Sequence, residues 1–150
     1  MTSPRSRHDT LAGRPGASRS LRTLRVELQL ERNVQAPALA RAEIADRCRE
    51  LELDASLCQS LILLVSEVVS NAVRHSEAAP AKPIWMRASF GERTIRVTVV
   101  DAGKGFTPRP RDPERTSGGY GLYLLEKVAG RWGVDSRGDT KVWFELPRGG

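Results

Sequence analysis

Three short segments carry residues able to do chemistry. In SEVVSNAVRH, residues 66–75, Glu67 and Asn71 stand four apart and interrupt an apolar stretch. On a helix that spacing puts both on one face. Taken alone, the pair also fits a polar stripe along a helix edge. In VVDAGKGF, residues 99–106, Asp101 ends an apolar run and Gly103 and Gly105 follow. By themselves these are also ordinary turn residues. In GGYGL, residues 118–122, glycines open a helical segment. Such a start offers bare backbone N–H groups and the positive end of a helix dipole to a phosphate, or it is only a loop end. The phosphate-binding pattern G-x-x-x-x-G-K-[ST] is absent from the sequence.

The elements that must position these residues follow from periodicity. Leu24, Val26, Leu28 and Leu30 alternate with polar residues, which predicts a strand with one buried face. Pro37 suits the first turn of a helix, along which Leu39, Ile44, Arg47 or Cys48, and Leu51 recur at roughly helical spacing. Asp54 suits an N-cap. Leu57, Leu61, Leu64, Val65, Val68 and Ala72 then mark a long helix over about 55–75. Residues 84–90 and 94–100 read as a strand pair with Gly91 in the turn. Residues 102–119 carry Gly and Pro without apolar period, and a loop of that length in a small domain suits a lid. A helix over 121–130 and strands over 132–135 and 141–146 complete the order β-α-α-β-β-lid-α-β-β. The fold class expected is α/β, a two-layer sandwich with a mixed sheet and helices on one face.

Composition excludes several classes. Two cysteines in 150 residues cannot make a disulfide scaffold. Cys48 and Cys58 have no His or Cys at metal-ligand spacing, so buried thiols are expected rather than zinc. The longest unbroken apolar run, Leu61–Val65, is far short of the ~20 residues of a membrane span. Arg and Pro near the start are followed by no apolar stretch, so no secretory signal is expected. These readings predict a cytoplasmic protein. The net charge of +6 first suggests nucleic acid, but it is unevenly placed. Residues 1–22, expected to be a flexible tail, hold five Arg against one Asp. Residues 104–115 hold four basic residues against two acidic ones. The rest of the chain is balanced, so a nucleic-acid surface on the folded body is not expected. Aromatic residues are 5%, too few for a base-stacking platform; Trp85, Trp132 and Trp143 are expected in core or edge packing.

Taken together, E-x-x-x-N on a helix, D-x-G-x-G after a strand and G-x-G-L opening a later helix resemble the GHKL ATPase superfamily. That superfamily includes histidine kinase catalytic domains and DNA gyrase. SEVVSNAVRH, VVDAGKGF and the closing TKVWFELP look most like anti-sigma factor serine kinases. The resemblance spans roughly residues 24–147, so a domain over 23–150 follows the tail.

The resemblance implies ATP and Mg²⁺ as ligands. Asn71 would hold Mg²⁺ through a neutral carbonyl oxygen, with phosphates and waters completing the shell. Glu67 would be the general base. Asp101 would accept a hydrogen bond from the adenine amino group, supported by the Thr140 hydroxyl. Gly103 and Gly105 would admit base and ribose; Gly119, Gly121 and Leu122 would line the phosphates. A lid Arg is implied two residues before the first Gly of G-x-G. Ser117 stands there, and Arg115 is the nearest cation able to serve at the γ-phosphate. Asp139 stands where the family has Gly before Thr140. His75 is expected to be structural. The partners implied are a sigma factor and a STAS-type antagonist phosphorylated on serine, with no direct nucleic acid or membrane contact; direct family members form homodimers.

Other functions compatible with the motifs are a non-catalytic ATP-binding regulator and the detached catalytic domain of a histidine kinase. The latter is disfavoured because no helix with a phosphoacceptor His precedes residue 24.

Overall fold

The computed structural model describes residues 23–75, 82–101 and 120–149. Five strands, β1 (Leu24–Leu30), β2 (Ile84–Phe90), β3 (Thr94–Asp101), β4 (Arg131–Asp135) and β5 (Thr140–Pro147), form one sheet in the order β1-β2-β3-β5-β4. The helices are α1 (Ala36–Leu51), α2 (Ala55–His75) and α3 (Tyr120–Val128). They pack on one sheet face, giving the expected two-layer sandwich.

The sheet is not mixed: all four strand pairs are antiparallel. β3 and β4 run the same way, joined through α3, but β5 lies between them and pairs with both. The α3 crossover therefore produces no adjacent parallel pair. A parallel pair would require neighbouring strands joined by such a crossover.

Period-2 alternation decides which side chains meet the helices. Ile84, Met86, Ala88 and Phe90 of β2 are buried, as are Ile95, Val97 and Val99 of β3 and Phe144 and Leu146 of β5. The facing stripe of α2 is Leu61, Leu64, Val65, Val68 and Val69, all buried. This helix is long and apolar enough, at a mean hydropathy of 1.5 over Ala55–Arg74, to cross a membrane by length and composition. Counting unbroken apolar runs missed that. Leu61, Leu64, Val65, Val68 and Val69 join the core beneath the sheet, whereas Leu63 is exposed.

Asp54 caps α2 as expected: its Oδ2 accepts from the backbone N–H of Ser56 at 3.0 Å and of Leu57 at 3.2 Å. In α1 the buried stripe is Ala36, Ala40, Ile44 and Cys48, while Leu39, expected inside, is exposed. A strict i, i+4 row headed by two alanines lets α1 lie close against α2, and Leu39 falls off that row.

The opposite sheet face carries polar residues in register. Two of the three tryptophans lie there rather than in the core. Trp85 faces outward from β2, and Trp143 lies flat over Gly133, its ring 4.1 Å from the Arg96 guanidinium carbon. Trp132, on the inner face, packs against the core.

Candidate functional site

Asp101 is the last residue of β3 and belongs to its inward-facing set. It is buried. Its Cα partner across β3–β5 is Thr140, the first residue of β5. The two residues therefore face each other across neighbouring strands, with Asp139 in the position before Thr140. The β4–β5 turn takes its positive φ, 76°, at Gly138 rather than at the residue before Thr140. Thr140 is 3% exposed, and its Oγ1 is buried without a hydrogen-bond partner among the described residues. Buried hydroxyls are normally satisfied. An orphaned hydroxyl one strand from a buried carboxylate fits a site that takes the polar edge of a ligand.

The carboxylate has a partner that motif reading did not supply. Arg32, two residues past the end of β1, donates from Nη2 to Asp101 Oδ1 at 2.6 Å. Its Nη1 donates to the Ala72 carbonyl oxygen at 3.1 Å. The Arg32 and Asp101 side chains are 5% and 11% exposed. One signal could have raised the question: a carboxylate closing an apolar strand is seldom buried without a cation. Sequence spacing could not say which of 24 cations supplies it.

The Ala72 carbonyl follows Asn71, so Arg32 ties the base of the α2 motif to Asp101. Glu67 and Asn71 lie one turn apart on α2, both half-buried. Asn71 Oδ1 accepts from Arg74 Nη2 at 2.7 Å, an exposed contact. One residue before Glu67, Ser66 Oγ accepts from Arg41 Nη1 of α1 at 2.8 Å.

Among the described residues no cluster of three or more His, Cys, Asp or Glu could cage a metal ion. A divalent ion at Asn71 would depend on ligand phosphates for its remaining oxygens, which suits Mg²⁺. The Asn71 oxygen fits that role once the exposed Arg74 contact is exchanged. Gly121 and Leu122 fall in the first turn of α3. Gly103, Gly105, Arg115, Ser117 and Gly119 lie outside the described residues, as does the tail over 1–22. The structure thus brings together Asp101 and Thr140, joined through Arg32 to the Glu67–Asn71 helix.

Away from the site, Cys48 is buried on α1 and Cys58 is partly buried on α2. Burial first, then a hydrogen bond with Cys58, pushes the Cys48 thiol up to about 12.

Comparison with known proteins bears on the fold and the family. The sensor protein NarQ for nitrate and nitrite, from Escherichia coli strain K12, is 28% identical over 117 residues. The match takes in 78% of this chain but 19% of NarQ, so the chain spans about a fifth of that relative's length. Among solved structures, one of the RsbU and RsbW domains of a Mycobacterium tuberculosis protein superposes with a TM-score of 0.68 at 21% identity. It covers 83% of this chain and 32% of that one. A blue-light activated histidine kinase from Erythrobacter litoralis gives a TM-score of 0.52 at 23% identity, over 71% of this chain and 40% of the other. At those identities the structures establish the fold. The model of the histidine kinase-like ATPase domain matches residues 30–145, most of the chain. The chain belongs to the family of histidine kinase-like ATPase domains.

Proposed function

We propose that the protein is an ATP-binding regulatory serine/threonine kinase of the anti-sigma factor type. In this reading it sequesters a sigma factor in the cytoplasm and phosphorylates a serine on a STAS-type antagonist. The observation that carries ATP binding is the buried Asp101–Thr140 pair across β3 and β5, with an orphaned hydroxyl beside a carboxylate. A carboxylate acceptor prefers adenine, which presents an amino donor, to guanine, which presents a carbonyl at the same place.

Mg²⁺ held at Asn71 would neutralise phosphate charge as the γ-phosphoryl group is transferred. Glu67, one turn before Asn71, would take the proton from the acceptor serine hydroxyl as its oxygen bonds to phosphorus and ADP departs. Gly119, Gly121 and Leu122 would lie along the phosphates, Gly103 and Gly105 beside the base and ribose. Arg115 would supply positive charge at the γ-phosphate. The choice of a serine acceptor rests on the resemblance of SEVVSNAVRH, VVDAGKGF and TKVWFELP to anti-sigma factor serine kinases.

A second reading is an ATP-binding regulator without phosphotransfer. It is favoured by the Arg74 contact on Asn71 Oδ1, which occupies the oxygen a metal needs. The match to NarQ keeps a histidine acceptor as a further outcome. Incubation with γ-labelled ATP and candidate acceptors separates the three. Acid-stable label on an antagonist serine supports the proposal. Acid-labile label on histidine supports the histidine kinase, and ATP binding without transfer supports the regulator. Glu67→Ala is expected to retain ATP and lose transfer, and Asn71→Ala to lose Mg-ATP affinity. Undiminished transfer by Glu67→Ala refutes the base assignment.

A further inference from the structure

Arg32 is held in a shaped turn rather than on a loose loop. Asn33 N–H donates to the Glu31 carbonyl at 2.9 Å, Ala36 N–H to the Asn33 carbonyl at 3.2 Å, and Gln35 N–H to Asn33 Oδ1 at 2.9 Å. β1 is an edge strand. Leu30 pairs with Ile84, and Ile84 pairs with Asp101. The end of β1 therefore stands two strands from Asp101, about 10 Å across the sheet. An arginine two residues beyond Leu30 spans that gap over Ile84. Its reach ends on two groups of different elements, the Asp101 carboxylate and the Ala72 carbonyl of α2. The Arg32 Nε–H is buried without an acceptor among the described residues.

Such an arrangement is poor value as a stabiliser. Taking both charges out of water offsets most of their attraction, and apolar replacements of similar volume often do as well. Its effect on the carboxylate is specific. The guanidinium compensates the buried charge and fixes the orientation of the carboxylate. The same side chain ties that carboxylate to the Ala72 carbonyl, one residue past Asn71.

We propose that Arg32 is the positioning residue for base selection: by clamping Asp101 to the Ala72 carbonyl of α2, it sets the preference for a purine bearing a 6-amino group. This rests on the reading of the site as an ATP site, in which Asp101 meets the base. Arg32 acts through Asp101 and need not touch the nucleotide.

The test compares binding of ATP, GTP and purine riboside triphosphate, which lacks the 6-amino group, by calorimetry on the full chain. Wild type is expected to prefer ATP over both. Arg32→Met is expected to lose about tenfold in ATP affinity, the worth of a hydrogen bond to a charged group. Its affinity for purine riboside triphosphate should stay within about threefold of wild type, because that ligand never used the interaction. Arg32→Lys keeps the charge but cannot reach two acceptors with a planar fork, so its ATP preference should fall by about threefold. The double variant Arg32→Met/Asp101→Asn leaves no unpaired buried charge and should be no worse in preference than Arg32→Met.

Equal weakening for ATP and purine riboside triphosphate overturns the proposal, because a merely structural arginine would act on both alike. Unchanged preference in Arg32→Met also overturns it. If Arg32→Met does not fold, unchanged preference in Arg32→Lys does the same. Wild type that binds no nucleotide refutes the ATP reading instead, so the two failures are distinct.

Discussion

Replacing Thr140 by valine should raise the stability of the unliganded protein and weaken its binding of ATP. Thr140 is 3% exposed, and its Oγ1 has no hydrogen-bond partner among the described residues. Burying a hydroxyl unsatisfied costs roughly 1–3 kcal/mol. Valine keeps the branched shape and replaces the hydroxyl with a methyl group, so the site is not emptied. The expected gain is about 1 kcal/mol, or about 3–5 °C in Tm for a domain of this size. If the hydroxyl is held in reserve for a ligand, the same change removes a hydrogen bond from the complex, and ATP affinity should fall about tenfold. Differential scanning calorimetry without and with Mg-ATP reads both effects. The ligand-induced rise in Tm should shrink while the unliganded Tm climbs. A variant that is less stable without ligand yet binds ATP as wild type does would show that Oγ1 serves the fold. The Thr140 hydroxyl would then not be held for a ligand.

Three further outcomes test the scaffold. Gly133→Ala should destabilise by about 1–3 kcal/mol, since a Cβ there would stand 2.7–2.9 Å from the Trp143 indole; denaturant unfolding followed by tryptophan fluorescence measures it, and an unshifted midpoint contradicts the packing. Asp54→Ala should cost about 1 kcal/mol through loss of the α2 cap, which removes two backbone partners; a change within error would show that α2 needs no cap. The Cys48 thiol is pushed up to about 12, so the folded state favours the protonated form. Its contribution is complete below the ordinary thiol value near 9 and is lost as pH rises from there toward 12. Tm should therefore fall above pH 9 more steeply in wild type than in Cys48→Ala, and parallel curves would contradict this.

Much of this molecule is legible in its sequence because the elements have clear periods. The alternation from Leu24 to Leu30 and the three-and-four spacing from Leu57 to Ala72 give β1 and α2 with nearly correct bounds. Resemblance of motifs singles out Asp101 and Thr140, but the register that sets them opposite each other is not readable from periodicity. What periodicity cannot supply is contact between elements far apart in the chain. The sheet order inserts β5 between β3 and β4, and that insertion turns an expected mixed sheet into an antiparallel one. Arg32 and Asp101 are 69 residues apart, and no local pattern distinguishes Arg32 from other arginines. Leu39 shows the reverse failure. Its apolar type suggested burial, but the close approach of α1 to α2 selected the alanine row instead.

The measurement that bears hardest on the whole reading is calorimetric titration of the wild-type chain with ATP and with GTP in the presence of Mg²⁺. Saturable binding of one ATP per chain, with GTP weaker by tenfold or more, is the predicted result. No saturable ATP binding, or equal affinity for the two nucleotides, would contradict the assignment of Asp101 and Thr140 to an adenine site.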